Sequence, residues 1–434
     1  MNALIRTILA ATLIAGPTLA ASKPNIIFVV ADDMGPQDTG HSGHVFAKTP
    51  HLDKMAAEGL RFDNFYSAHA TCSPGRMAIL TGRTPLRARM VTTVGPMQEG
   101  EITVAMALKT VGYETAHFGK WGLGREGTHP TKAGFDTSIW NKGYYENDPN
   151  FYLNDSDKKG DVKPVECKGE SSVVTVEKAL EFIKPRVERK QPFFVQICFG
   201  SPHAPHKGHP DFLKLYEDTP DINANYWAEV SGLDAAVGKL RAELRKMKIA
   251  DNTLLWFVSD NGGISKVSGI DKKGSIGVRT IGLLDWPGRM PKPLRTDVPV
   301  SHMDMYPTVM DAVGVKLDHQ PPIDGASIIP LIEGKAEKRP GPIGFTRGGQ
   351  DKKGGMETFK FGDGVWIDAR FKLRTEPARK KREAVLTLHD IIADPKEETN
   401  LADKHPEKVE AMLAALAKWR ESVKDSYAGK DYVK

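Results

Sequence analysis

Ile26-Ile27-Phe28-Val29-Val30 is an unbroken apolar run that gives way to Ala31-Asp32-Asp33. Three other segments share the design. Tyr113 to Phe118 runs into Gly119-Lys120-Trp121, Phe193 to Phe199 into Ser201-Pro202-His203-Ala204-Pro205-His206, and Leu254 to Val258 into Ser259-Asp260-Asn261-Gly262-Gly263. A strand with one wet face alternates apolar and polar residues. Continuous apolar runs bounded by Gly and Pro are strands buried on both faces, the habit of parallel sheets. The Tyr113 to Phe118 run is the least apolar of the four. Open parallel sheets bind ligands beyond the carboxyl ends of their strands, so these runs predict that the carboxylates, lysine and histidines following them converge.

Helical signals fall between the strands. Thr49-Pro50-His51-Leu52-Asp53-Lys54-Met55-Ala56-Ala57-Glu58-Gly59 reads as a helix with Thr49 as N-cap, Pro50 in the first turn and Gly59 as terminator. Ile102 to Val111 is a second, stopped by Gly112. Residues 225–247 carry Tyr226, Val230, Leu233, Val237, Leu240, Leu244 and Met247 at spacings of a helical stripe, which marks core packing. The alternation predicts an α/β fold with a doubly wound, mostly parallel central sheet. Lys142 to Gly169 shows little periodicity and reads as an excursion over the surface. From Gly341 the pattern changes. Val365-Trp366-Ile367, Phe371-Lys372-Leu373 and Val385 to Asp390 read as antiparallel strands, and a helix after Pro406 aligns Val409, Met412, Leu413, Leu416 and Trp419. The expected organisation is a leader over 1–21, a catalytic α/β domain over 22–340, and a C-terminal α+β subdomain over 341–434 with a small antiparallel sheet and a terminal helix.

The chain has 434 residues, ample for a sizeable core. Its net charge of +5 is mild and dispersed, with no arginine-rich arm, which argues against nucleic acid as a partner. Residues 1–21 have the parts of a secretory signal: Arg6, the apolar stretch Ile8 to Ala15, and Thr18-Leu19-Ala20-Ala21 as a small-residue cleavage site. The apolar stretch is shorter than the ~20 residues a membrane span needs, so the expected mature protein is exported, periplasmic or secreted, and not membrane-bound. Three cysteines do not make a disulfide scaffold. Cys198 reads as a small core residue, with a bridge to Cys167 left open.

Asp32, Asp33, Asp260 and Asn261 are hard oxygen donors at the ends of two strands. One Asp after a strand is commonly a helix cap; two such pairs suit Ca²⁺, or Mg²⁺ with more water, and do not suit zinc. Thr71-Cys72-Ser73-Pro74-Gly75-Arg76-Met77-Ala78-Ile79-Leu80-Thr81-Gly82-Arg83 adds a cysteine followed by a helical run. A helix starting near Pro74 would turn its N–H groups and positive end toward an anion at residue 72, with Arg76 one turn along.

The run Cys72-x-Pro74-x-Arg76 through Leu80-Thr81-Gly82 resembles the signature of the type I sulfatases, of the alkaline-phosphatase-like superfamily. Lys120 in Gly119-Lys120-Trp121-Gly122-Leu123-Gly124, His203 in Ser201-Pro202-His203, Pro299 to Thr308 and Asp390 to Ala402 extend the resemblance over nearly the whole mature chain; the last segment is similar to the arylsulfatase and N-acetylgalactosamine-6-sulfatase branch. The resemblance implies that a maturation enzyme oxidises Cys72 to formylglycine, whose hydrate attacks sulfur, and that Asp32, Asp33, Asp260, Asn261 and residue 72 bind a divalent cation, usually calcium. It also implies that Arg76 stabilises the hydrate, that Lys120 and Lys273 (or its neighbour Lys272) hold sulfate oxygens, and that His203 protonates the leaving oxygen. His206 is a substrate candidate. Two places depart from the family: Gly122 replaces a histidine that assists turnover, and the Glu-Gly-Gly element expected between Lys273 and Arg279 is shortened. The implied function is hydrolysis of sulfate esters on sulfated saccharides. The alternatives are a phosphonate monoester or phosphodiester hydrolase of the same superfamily, and a sulfated-glycan binding protein of impaired turnover.

Overall fold

The computed structural model describes residues 23–91, 97–123, 129–141, 150–153, 163–166, 168–218, 223–263, 276–350, 354–378 and 383–432. The leader expected over 1–21, Cys167, Lys272 and Lys273 lie outside the described residues.

The four apolar runs are strands Asn25–Ala31, Glu114–Lys120, Phe193–Cys198 and Thr253–Ser259. They sit side by side in a 10-stranded sheet. Asn25–Ala31 is flanked in parallel by Phe193–Cys198 and Thr253–Ser259, and Glu114–Lys120 lies parallel to Phe193–Cys198 on the far side. Alternation along Asn25–Ala31 sends Ile26, Phe28 and Val30 to one core and Ile27 and Val29 to the other. The first core takes Met77, Ile79 and Leu80 from helix Cys72–Thr81 with Met305 and Val309 from helix Met305–Val313. The second takes Val176 and Ile183 from helix Ser171–Glu188 with Leu233, Val237 and Leu240 from helix Ala224–Lys246. Each such fully buried side chain stabilises the fold by about 1.5–3 kcal/mol relative to exposure. Both faces are covered, as the continuous apolar runs predict.

The edges of the sheet differ from the sequence reading. The Lys142 to Gly169 segment, expected as a surface excursion, carries strands Asn150–Leu153 and Lys163–Glu166, which pair antiparallel and extend the sheet. At the other edge the short strands Leu60–Phe62, Gly282–Asp285 and Leu294–Thr296 complete it. Helix Pro50–Glu58 forms as expected, but Thr49 does not cap it through its side chain. The Thr49 hydroxyl donates to Asp53 Oδ1 at 3.0 Å, and buried Asp234 on the long helix accepts from the His51 and Leu52 N–H groups instead, at 3.2 and 2.7 Å. The second expected helix is shorter, Val104–Lys109, because the Thr103 hydroxyl accepts from Met106 N–H and sets its start.

The C-terminal segment forms the antiparallel sheet Ile343–Gly349, Lys360–Asp368, Phe371–Glu376, Val385–Asp390 in chain order. Helix Pro406–Tyr427 covers one face, with Val409, Met412 and Leu416 on Trp366, Leu373 and Leu388. The other face places Ile343, Phe345, Val365 and Ile367 against Tyr66, Ala78 and Met303.

Candidate active site

The strand ends converge. Asp32 and Asp260 follow adjacent parallel strands and are both 0 % exposed. Between them lies Arg76, whose Nε donates to Asp260 Oδ2 at 2.9 Å and whose Nη2 is 3.7 Å from Asp32 Oδ2. Its Nη1 donates to the Lys120 carbonyl at 2.9 Å, and Lys120 Nζ donates to Asp32 Oδ2. Burial is the largest single influence on Lys120 and opposes its charge, but Asp32, Cys72 and Asp260 together raise the amine's pKa. Burial, then the Asp32 charge, push Asp260 up to about 6.

Cys72 opens helix Cys72–Thr81, two residues earlier than the expected start near Pro74. The helix therefore points its positive end at residue 72 from directly behind. Gly75 lets it do so. A Cβ there would collide with the Asp260 carbonyl, so the helix and the end of the strand touch backbone to backbone. Burial raises the Cys72 thiol above its usual range, and Asp260 and Asp32 add to this against the opposing charges of Lys120 and Arg76. A buried thiol kept protonated is a poor thiolate nucleophile.

A ligand atom from each of Asp32, Cys72 and Asp260 lies within 4.8 Å of the others, and Asp32, Asp33 and His203 form a second such group. Two observations test whether a cation suits this cluster. Asp32 Oδ1 is buried with no hydrogen-bond partner among the described residues, a cost of about 1–3 kcal/mol unless something else engages it. Asp33 holds a left-handed backbone, φ 63°, which L-residues adopt at a cost and which turns its carboxylate toward the cluster. Hard carboxylate oxygens, one of them orphaned, suit Ca²⁺ or Mg²⁺. Asn261 meets the cluster differently from the sequence expectation. Its Nδ2 donates to Asp33 Oδ1 and Asp260 Oδ1 at 2.6 and 2.9 Å, while its Oδ1 accepts from Gly263 N–H at 3.0 Å. It faces the carboxylates as a donor and would offer its oxygen only with the amide turned over.

His203 stands on the open side, its Nε2 3.5 Å from Asp33 Oδ2. Its Nδ1 donates to the Ala204 carbonyl at 2.6 Å, which leaves Nε2 as the nitrogen facing the site. His206 turns away toward Glu229, 3.4 Å from Oε2. Gly122 also borders the cluster: a Cβ on it would lie 3.3 Å from Arg76 Cδ and 3.7 Å from Lys120 Cε, and its φ is +67°. His117 does not fill the place left at Gly122. It is wholly buried, packed edge-on to Trp121 and near Phe135, with Nδ1 3.2 Å from Gln196 Oε1, and burial drives its pKa down to about 3. Cys198 is a buried free thiol on the neighbouring strand. Sequence reasoning passed over two residues beside the site, His69 and Arg347. His69 sits just upstream of the Cys72 run, a visible signal; Arg347 lies on a different sheet and gave none.

A family model described as Sulfatase matches residues 24–315. The chain belongs to the sulfatase family. It is 34 % identical over 379 residues to N-acetylgalactosamine-6-sulfatase of Homo sapiens, covering 77 % of this chain and 70 % of that protein. Among solved structures, Ps i-CgsB in complex with k-i-k-neocarrahexaose superposes with a TM-score of 0.78 at 24 % identity, over 92 % of this chain and 93 % of that one. BT4656 in complex with its substrate D-glucosamine-2-N,6-O-disulfate gives a TM-score of 0.75 at 20 % identity, over 93 % and 98 %. As a member of this family the sulfatase is a sulfuric ester hydrolase with a mostly parallel α/β sheet and a C-terminal antiparallel sheet.

Proposed function

We propose that this sulfatase removes sulfate from saccharides, with Cys72 matured to formylglycine and a calcium ion held by Asp32, Asp33 and Asp260. The observation that carries this reading is the placement of residue 72 at a helix N-terminus, grouped with two buried carboxylates and flanked by Arg76 and Lys120. Formylglycine would supply a hydrated aldehyde oxygen as nucleophile. The cation would supply positive charge beside that oxygen and the sulfate; magnesium would need the same carboxylates and more water.

The chain's own residues do the rest. Arg76 is anchored on Asp260 and the Lys120 carbonyl, so its remaining Nη2 is held in a fixed direction, 3.7 Å from Asp32 Oδ2 in the cluster that includes residue 72. Asp32, with Cys72 and Asp260, raises the Lys120 pKa against the pull of burial, so the amine keeps its proton and can donate to a sulfate oxygen. Fixed donors aimed at developing charge are commonly the largest catalytic term. His203 can carry a proton on Nε2 on the open side of the site and pass it to the departing alcohol. Lys273, or Lys272, would complete the sulfate contacts. The relatives' names support a saccharide substrate, and the leader-like 1–21 supports export. A formylglycine-generating enzyme would be the maturation partner.

The test is sulfate release from a panel of defined sulfated saccharides, using calcium-loaded protein shown by mass spectrometry to carry formylglycine at residue 72. Release from at least one member is expected, and Cys72→Ala should reduce it to background with the fold retained. Full activity of Cys72→Ala would overturn the nucleophile assignment. Release of phosphonate but never of sulfate would overturn the substrate class.

A further inference from the structure

The long helix Ala224–Lys246 holds the loop that carries His203 with side chains from its first two turns. Glu229 lies four residues after Asn225 and three after Tyr226, so the three meet on one side of the helix. Asn225 Oδ1 accepts from the Gly208 N–H at 3.0 Å. Buried Glu229 accepts from the Lys207 N–H through Oε1, and its Oε2 lies 3.4 Å from His206 Nδ1. The Tyr226 ring meets the His206 ring edge-on, with centroids 5.2 Å apart. The Tyr226 hydroxyl donates to Asp38 Oδ2, which also accepts at 2.5 Å from the N–H of Gly35, two residues beyond Asp33.

The loop is tied on both sides of His203. Before it, the Ser201 carbonyl accepts from the Asp32 N–H at 2.9 Å, and Ser201 Oγ is 3.1 Å from Ser172 Oγ. After it, the hold centres on Glu229, which grips two consecutive residues and whose carboxylate is also within electrostatic reach of His203. Burial raises the Glu229 pKa, and the hydrogen bonds from His206 and Lys207 oppose that rise.

We propose that Glu229 is a positioning residue for proton delivery: by holding His206 and Lys207 it fixes where His203 Nε2 stands beside Asp33. The proposal rests on the reading of His203 as the acid that protonates the departing alcohol. A sugar alkoxide is a poor leaving group and needs that proton as the bond breaks, whereas 4-nitrophenolate is a stable anion and departs with little help. Loosening the loop should therefore cost activity selectively, by leaving group. Loss of folded protein would cost every substrate alike.

The experiment compares formylglycine-bearing wild type, Glu229→Ala and His203→Ala on a sulfated saccharide that the wild type hydrolyses and on 4-nitrophenyl sulfate. Glu229→Ala should lower kcat/KM on the saccharide about tenfold or more, mainly through kcat, with a much smaller loss on the aryl ester. His203→Ala should show the same selectivity with a larger loss. Equal losses on both substrates in Glu229→Ala, beside a selective His203→Ala, would overturn this proposal and leave the acid in place. Equal losses in His203→Ala would overturn the acid reading, and this one with it. Should the wild type refuse the aryl ester, the saccharide alone decides: kcat falling with KM held supports the proposal, and KM rising with kcat held overturns it. Glu229→Gln, which keeps an acceptor for the Lys207 N–H, gives the same readout in weaker form should the alanine variant not fold.

Discussion

Two buried arginines in this chain are treated in opposite ways. Arg87 is saturated: Nε and Nη2 donate to Asp324, Nη2 also to Ser422 Oγ, and Nη1 to the Ser422 carbonyl and Ser426 Oγ. Asp324 is used up as well, accepting from Thr84 N–H and Trp419 Nε1. This network ties the C-terminal helix to the segment following helix Cys72–Thr81, and it leaves nothing over. Arg76, as deeply buried, leaves Nη2 without a hydrogen-bond partner among the described residues, and Asp32 beside it leaves Oδ1 likewise. Folding alone selects against such orphans, because each costs more than a made bond returns. These two both border the carboxylate cluster at residue 72, where a bound ion or anion would engage them.

The contrast can be broken by exchanging each arginine for a neutral chain of similar length. Arg76→Met should lower turnover about 10²–10³-fold, the usual effect of losing one preorganised donor, with a modest shift in melting temperature for the metal-loaded protein. Arg87→Met should do the reverse. It strands Asp324 in the interior and should destabilise by about 3–5 kcal/mol, read as a melting temperature several degrees lower, while sulfate release per folded molecule holds. Equal losses of activity in both would erase the distinction.

A smaller effect should appear with pH. His117, His302 and His69 are buried and their pKa values are lowered to about 3, 4 and 4 by burial. In the unfolded chain they take up protons near 6.5, so the unfolded state binds more protons throughout the interval between the folded and unfolded values. Stability is then full above about 6.5 and declines as pH falls toward about 4, by up to about 1.4 kcal/mol per pH unit for each histidine. Thermal melting followed from pH 7.5 to 4.5 should show that decline. A flat profile would mean that these rings are not neutral in the fold.

The smallest expected change sharpens the picture of the site. Gly122→Ala forces an L-residue into the left-handed region and sets a Cβ 3.3 Å from Arg76 Cδ. It should cost about 1–2 kcal/mol of stability, with turnover reduced only insofar as Arg76 is displaced. A stabilised variant would show that the backbone there relaxes out of its positive φ.

The sequence was most readable where physics leaves the fewest choices. A strand buried on both faces must be apolar throughout, so the ends of Asn25–Ala31 and Thr253–Ser259, and with them Asp32 and Asp260, could be placed from pattern alone. The outer strands were illegible for the same reason reversed. Asn150–Leu153 and Lys163–Glu166 are four residues each, in a stretch rich in Asn, Asp and Lys, and pairing alone makes them strands. Local chemistry misled at Thr49, where the sequence offered a good cap and the fold used Asp234, far along the chain. Asn261 was correctly brought to the cluster but expected there as an oxygen donor, a choice that depends on which way Gly263 N–H points. Arg347 and His69 meet only because two sheets pack together, and neither periodicity nor motif spacing encodes that meeting. Lys273 lies outside the described residues.

The contact at Gly75 sets a limit on how such a protein can diversify. With the nucleophile helix resting on the Asp260 carbonyl, any side chain at that glycine would part residue 72 from the carboxylates by more than the reaction geometry tolerates, since an ångström of misplacement can cost about 10²-fold in rate. The reacting centre is thus closed to gradual adjustment. New substrates have to be accommodated from outside it, by loops and by parts of the second sheet away from the face packed on Tyr66, Ala78 and Met303.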